Sequence, residues 1–139
     1  PTSAVRDLAL PPCAAVRQEF PAAAALPPTG VWAYLGGLPA GAAVMLVLAD
    51  CQAPVVEVTL DGLRWTLAVG GVQRPALGLW YNRRGYPPGE GLARDEFGVE
   101  WMLTPECRLD EAVRHDTAWT LAPGESRGWS VTWRIEAIP

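Results

Sequence analysis

Val55-Val56-Glu57-Val58-Thr59-Leu60-Asp61-Gly62-Leu63-Arg64-Trp65-Thr66-Leu67-Ala68-Val69 is the stretch that decides the fold. Two runs of β-branched, aromatic and aliphatic residues flank an Asp-Gly pair. The tight turn that joins antiparallel strands needs positive φ at both central residues, a conformation that Asp and Gly tolerate well. The stretch therefore predicts two strands, 55–60 and 63–69, paired as a hairpin.

The same rhythm extends in both directions. Upstream, Ala43 to Leu48 is apolar at every position and reads as a strand buried on both faces. Downstream comes a strand over Ala76 to Asn82, a Pro-, Gly- and charge-rich loop from Arg83 to Glu96, and another strand from Phe97 to Leu103. Leu109 to Arg114 has the composition of a short helical turn. Strands are predicted over 117–121 and 128–138, joined by a Pro123-Gly124-Glu125 turn. In the last strand Trp129, Val131, Trp133, Ile135 and Ala137 share one face, while Ser130, Thr132, Arg134 and Glu136 share the other. This alternation predicts one buried and one wet face, with Trp129 and Trp133 in the core.

In the first forty residues Pro11-Pro12, Pro21, Pro27-Pro28 and Pro39 each remove a backbone donor and disfavour helix before them. Residues 1–40 therefore read as extended segments and turns, with short helical turns possible over 14–20 and 22–26. The fold expected is all-β: one antiparallel β-sandwich domain spanning residues 1–139, with one helical turn near 109–114.

The totals narrow the function. A net charge of −4 gives no concentration of positive charge, which argues against nucleic acid or an acidic membrane surface as partner. No run of eighteen apolar residues is present, so no membrane span is expected. Cys13, Cys51 and Cys107 are odd in number and widely spaced, which suggests reduced thiols and a cytoplasmic location rather than a disulfide framework. No phosphate loop, Gly-x-Ser-x-Gly elbow or metal-ligand spacing occurs, so neither cofactor nor metal is expected.

The order of elements after Leu77 carries a family pattern. Leu77-Gly78-Leu79-Trp80-Tyr81-Asn82-Arg83-Arg84-Gly85-Tyr86-Pro87 is followed by Val99-Glu100, by Leu109-Asp110-Glu111-Ala112, by Leu121-Ala122-Pro123-Gly124-Glu125, and by Trp129-Ser130-Val131. This resembles the C-terminal portion of the galactose mutarotase-like (aldose 1-epimerase) superfamily. The resemblance implies a half or reduced form of that family's supersandwich and a sugar-sized pocket.

Glu100 matches the family's strand-end carboxylate, the general base of catalytic members. Trp101 stands where the family usually has Pro. The family's catalytic His residues lie upstream of the matching region, and His115, the only His, matches neither. The resemblance therefore implies sugar binding near Trp80, Asn82, Arg84, Glu100 and Trp101 without a complete epimerase site. His115 remains a candidate acid on its titration range alone.

A reduced sandwich leaves edges and apolar faces uncovered, so self-association, as a homodimer that rebuilds the missing half, is also expected. Two rivals remain. One is an aldose 1-epimerase-type isomerase with Glu100 as base. The other is a protein-interaction module or truncated remnant with no sugar ligand, whose mark would be an exposed apolar patch away from Glu100. The cluster of Glu90, Arg94, Asp95 and Glu96 reads as a solvated loop, with a lid as the alternative.

Overall fold

The computed structural model describes residues 5–22, 24–26, 30–89 and 94–139. Along the chain run β1 (Val5–Ala9), β2 (Ala15–Phe20), β3 (Ala24–Leu26), α1 (Val31–Gly36), β4 (Ala43–Ala49), β5 (Val55–Leu60), β6 (Leu63–Gly70), β7 (Ala76–Arg83), β8 (Asp95–Met102), α2 (Leu109–Arg114) and β9 (Ser130–Ala137). Asp61 and Gly62 turn the chain at φ of 50° and 77°, and β5 pairs with β6 from Val55↔Ala68 to Leu60↔Leu63.

All pairings are antiparallel and form two sheets, one in the order β1-β5-β6-β9 and one in the order β3-β2-β4-β7-β8. The chain is an all-β sandwich. One sheet contributes Leu8, Val56, Val58 and Leu67 to the core, the other Val16, Val44, Leu46, Leu48, Leu77 and Leu79, and Val31 and Leu35 of α1 close one side. Removing each of these side chains from water stabilises the fold by about 1.5–3 kcal/mol. Among the described residues no helix is long and apolar enough to cross a membrane.

The structure corrects several local expectations. Residues 31–36, inside the stretch read as extended segments and turns, form helix α1, so the turn at 109–114 is one of two helices. The Ala-rich segments at 14–20 and 22–26 form β2 and β3 rather than helical turns. Here tertiary pairing overrides helix propensity, because Val16↔Leu48 and Gln18↔Leu46 extend the sheet beside β4 and place Val16 in the core. Residues 117–121 make no strand. Thr117 and Ala118 instead donate their N–H groups to the Ala112 carbonyl, capping the C-terminal end of α2.

A further correction concerns β9. It pairs with β6 along its whole length, from Leu63↔Ala137 to Gly70↔Ser130, but its apolar face is not in the core. Trp133 is 62% exposed, and Trp129 and Ile135 are each 51% exposed. Trp133 lies opposite the buried Leu67, so its side chain projects to the core side of the sheet, yet β9 is an edge strand and, among the described residues, too little packs on Trp133 to bury it.

Candidate functional site

Strand alternation settles which candidate residues can meet. In β7, Leu77 and Leu79 enter the core, so Gly78, Trp80 and Asn82 project to the outer face of the five-stranded sheet. In β8, Phe97, Val99 and Trp101 pack on the core, so Glu96, Gly98, Glu100 and Met102 project outward. The structure thus brings Trp80, Asn82 and Glu100 to one face and turns Trp101 to the other. The Trp101 indole N–H donates to the Leu67 carbonyl at 3.3 Å, tying the two sheets together.

Two glycines shape this outer face. Glu100 lies directly opposite Gly78, and Gly98 directly opposite Trp80. A Cβ on Gly78 would fall 2.7 Å from Met45 Cε and 3.1 Å from Met102 Sδ, and one on Gly98 would fall 3.3 Å from Trp80 Cβ. Thioether and indole side chains therefore lie across the bare backbone, as aromatic groups commonly do over glycines in sheets. Glu100 is an exposed carboxylate diagonal to Trp80, a spacing of about 7–8 Å between such neighbours.

Trp80 belongs to an aromatic group. Its ring centroid lies 5.7 Å from that of Phe20 and 5.7 Å from that of Tyr86, and the Phe20 and Tyr86 centroids are also 5.7 Å apart. The tilted and edge-to-face packing is the arrangement that ring quadrupoles favour. The Trp80 indole N–H donates to Glu96 Oε2 at 3.4 Å. Hydrogen bonds from Arg94, Asn82 and Trp80 hold the Glu96 carboxyl below its ordinary range. Asp95 and Glu96, read from sequence as loop, thus belong to β8, and Glu96 is an ordered acceptor beside an indole. Of the cluster Glu90, Arg94, Asp95 and Glu96, read as a solvated loop or lid, Glu90 lies outside the described residues.

Asn82 has a different task. It is 1% exposed and has all of its main donor and acceptor directions occupied. Its amide NH2 donates to the Tyr86 carbonyl at 2.7 Å and to Glu96 Oε2 at 3.3 Å, while its Oδ1 accepts from the Gly85 N–H at 2.9 Å and the Tyr86 N–H at 3.1 Å. Asn82 therefore fixes the turn that presents Tyr86, and no hydrogen bond is left over for a ligand. Arg84 sits in that turn at φ 64°, with an exposed side chain 3.6 Å from Asp95.

His115 is held elsewhere. It follows α2, and its Nδ1 lies 3.1 Å from Oε1 of Glu106. Glu106, with a side chain only 3% exposed, also accepts hydrogen bonds from the hydroxyls of Thr104 and Thr117. Burial by itself would raise its carboxyl, but the hydrogen bonds from Thr104, Thr117 and His115, with its own backbone N–H, outweigh burial and bring it to about 2.

Sequence reasoning missed Glu106 because its partners come from two loops and a helix end, a grouping with no periodic signal. Beside it Thr104, Glu106, Cys107, Ala112, Thr117 and Trp119 line a groove of about 280 Å³. This segment borders the outer face. The Arg17 guanidinium donates to the Pro105 carbonyl at 2.5 Å, and the Cys107 thiol, raised first by burial, also feels the charges of Glu19 and Glu100.

The face can therefore stack a flat apolar ligand surface and accept hydrogen bonds through carboxylates. The two partners that the sequence nominated beside Glu100 are engaged elsewhere: His115 by Glu106, and Arg84 by Asp95. No grouping of His, Cys, Asp and Glu among the described residues could hold a metal ion. Comparison of the chain with protein-family models, with curated proteins and with solved structures found no match.

Proposed function

We propose that the chain is a carbohydrate-binding domain of mutarotase-like architecture that lacks a complete epimerase site and self-associates. The observation that carries the sugar reading is the outer face of the five-stranded sheet, where the Trp80, Phe20 and Tyr86 rings meet with the carboxylates of Glu96 and Glu100 on the same side. Sugar rings present apolar C–H faces that stack on aromatic rings, and hydroxyls that donate to carboxylates. Ring opening also requires an acid across from the base within hydrogen-bond reach. The pairing of His115 with Glu106 is what favours binding over catalysis.

Titration calorimetry with glucose, galactose and their uronic acids tests the reading. The expected result is saturable binding of a neutral sugar, lost in Trp80→Ala and weakened about tenfold in Glu100→Gln, the loss of one charged hydrogen bond. Absence of binding for every sugar, or binding indifferent to Trp80→Ala, would sink it. Polarimetry on freshly dissolved glucose tests the epimerase alternative, which requires acceleration that Glu100→Gln removes.

A second reading, a protein-interaction module without a sugar ligand, is favoured by the exposed apolar face of β9, which lies in the other sheet from Glu100.

A further inference from the structure

Strand β9 has two uncovered sides. Among the described residues nothing pairs with its outer flank, since the sheet order ends there, and Trp133 and Ile135 stand half exposed on its apolar face, with Trp129 half exposed just before it. A long flat edge with an apolar face is a template for another strand. We propose that β9 pairs with β9 of a second copy of this chain, antiparallel about a two-fold axis at Ile135, joining the two four-stranded sheets into one. The proposal deepens the self-association part of the reading above and is independent of the sugar site.

The backbone offers the right groups. Ile138 donates its N–H to the Gly62 carbonyl at 2.8 Å, and the β6 pairing runs without a bulge from Ala137 to Ser130. Antiparallel strands alternate between residues that spend both backbone groups on one neighbour and residues that direct both to the other side. Even-numbered residues of β9 therefore bond to β6, and Val131, Trp133, Ile135 and Ala137 aim their N–H and C=O groups at the free edge. The residues whose side chains are apolar are also those whose backbone is available.

The register follows from charge. Arg134 and Glu136 lie on the polar face, 2.7 Å apart in an exposed pair. An axis at Ile135 sets Arg134 of each copy directly opposite Glu136 of the other, so four charges alternate in sign, whereas an axis at Arg134 would oppose two arginines. On the apolar face the same axis places Trp133 beside Ala137 of the second copy, a large residue against a small one.

Within the paired strands Trp133 and Ile135 present about 200 Å² per copy, aromatic side chains offering about 150–250 Å² each. Doubled, and with the strand flanks added, the contact falls below the roughly 1,200 Å² of standard interfaces, in the size class of weaker, reversible association.

Size-exclusion chromatography with light scattering on the full chain provides the test. Wild type is expected at twice 14.9 kDa at micromolar concentration. Trp133→Lys should run as a monomer with an unchanged far-ultraviolet spectrum. Arg134→Glu, which sets Glu against Glu across both symmetry-related pairs, should weaken the dimer about tenfold, and Arg134→Glu combined with Glu136→Arg should restore it. A wild-type monomer overturns both the β9 contact and self-association. A dimer that both single variants leave intact overturns the β9 contact and leaves self-association standing.

Discussion

Replacing Glu106 by Gln should cost the folded chain about 2 kcal/mol at neutral pH and remove much of its sensitivity to acid. In the folded chain the Glu106 carboxyl is brought from its ordinary value of 4.5 to about 2. One unit corresponds to about 1.4 kcal/mol, so the ionised carboxylate stabilises the fold by about 3 kcal/mol. Glutamine keeps the shape and one acceptor, and a neutral hydrogen bond recovers about 1 kcal/mol.

The folded pKa lies below the unfolded one, so the unfolded chain takes up the proton first as pH falls. The stabilisation is complete above about pH 4.5 and is lost as pH falls through about 2. Urea unfolding followed by tryptophan fluorescence, repeated at intervals from neutral pH downward, measures the difference between wild type and Glu106→Gln. Other carboxylates cancel in that difference. It should hold near 2 kcal/mol, begin to shrink near pH 4.5, pass through zero and end with Glu106→Gln the more stable by about 1 kcal/mol once the carboxyl is protonated in the folded state, because wild type has then lost the full 3 kcal/mol. A difference that stays constant across this window would refute the reasoning.

Other positions give independent outcomes. Asn82→Ala removes four hydrogen bonds at a buried site and strands the Gly85 and Tyr86 N–H groups, so a loss of about 3 kcal/mol in urea unfolding is expected. Gly85→Ala should cost about 3 kcal/mol, because its new Cβ would lie 2.4 Å from the Ala42 carbonyl carbon and 2.7 Å from the Ala43 nitrogen, and backbone there yields little; an unchanged melting temperature would contradict the close approach. Leu79→Ala, at a fully buried core position, should cost about 2–5 kcal/mol by the same assay. The Cys51 thiol, pushed up to about 12 chiefly by burial, should react with a disulfide reagent at mildly alkaline pH only after urea unfolds the chain.

The fold was legible where local chemistry and global pairing agree. Asp61-Gly62 between alternating strands, the apolar run at Ala43 to Leu48, and Leu109 to Arg114 all carry signals that need no distant partner. Ala-rich β2 was not legible, because alanine fits helix and strand alike and only the neighbour β4 decides. The alternation of β9 identified which residues share a face. It carries no information on whether another layer covers that face, and so Trp129 and Trp133 were placed in the core.

Within the candidate site, the pleat of β7 and β8 sets Trp80, Asn82 and Glu100 on one face and turns Trp101, which immediately follows Glu100, to the other. Family spacing had grouped the two without regard to the pleat. Asn82 looked like a ligand donor because amides at strand ends often are; only the positions of the Gly85 and Tyr86 N–H groups reveal that its capacity is already used.

The exposed indoles of β9 also make the protein its own optical probe. Indole emission moves to longer wavelength in water, so half-exposed Trp129 and Trp133 should give folded chains a red component that a neutral quencher such as acrylamide reaches. Whatever covers this strand would extinguish that component and shield it from the quencher, so association could be followed by intrinsic fluorescence without a label. Trp65, whose ring centroid is 6.3 Å from that of Trp133, is close enough to pass excitation to the exposed ring and would carry the same change inward.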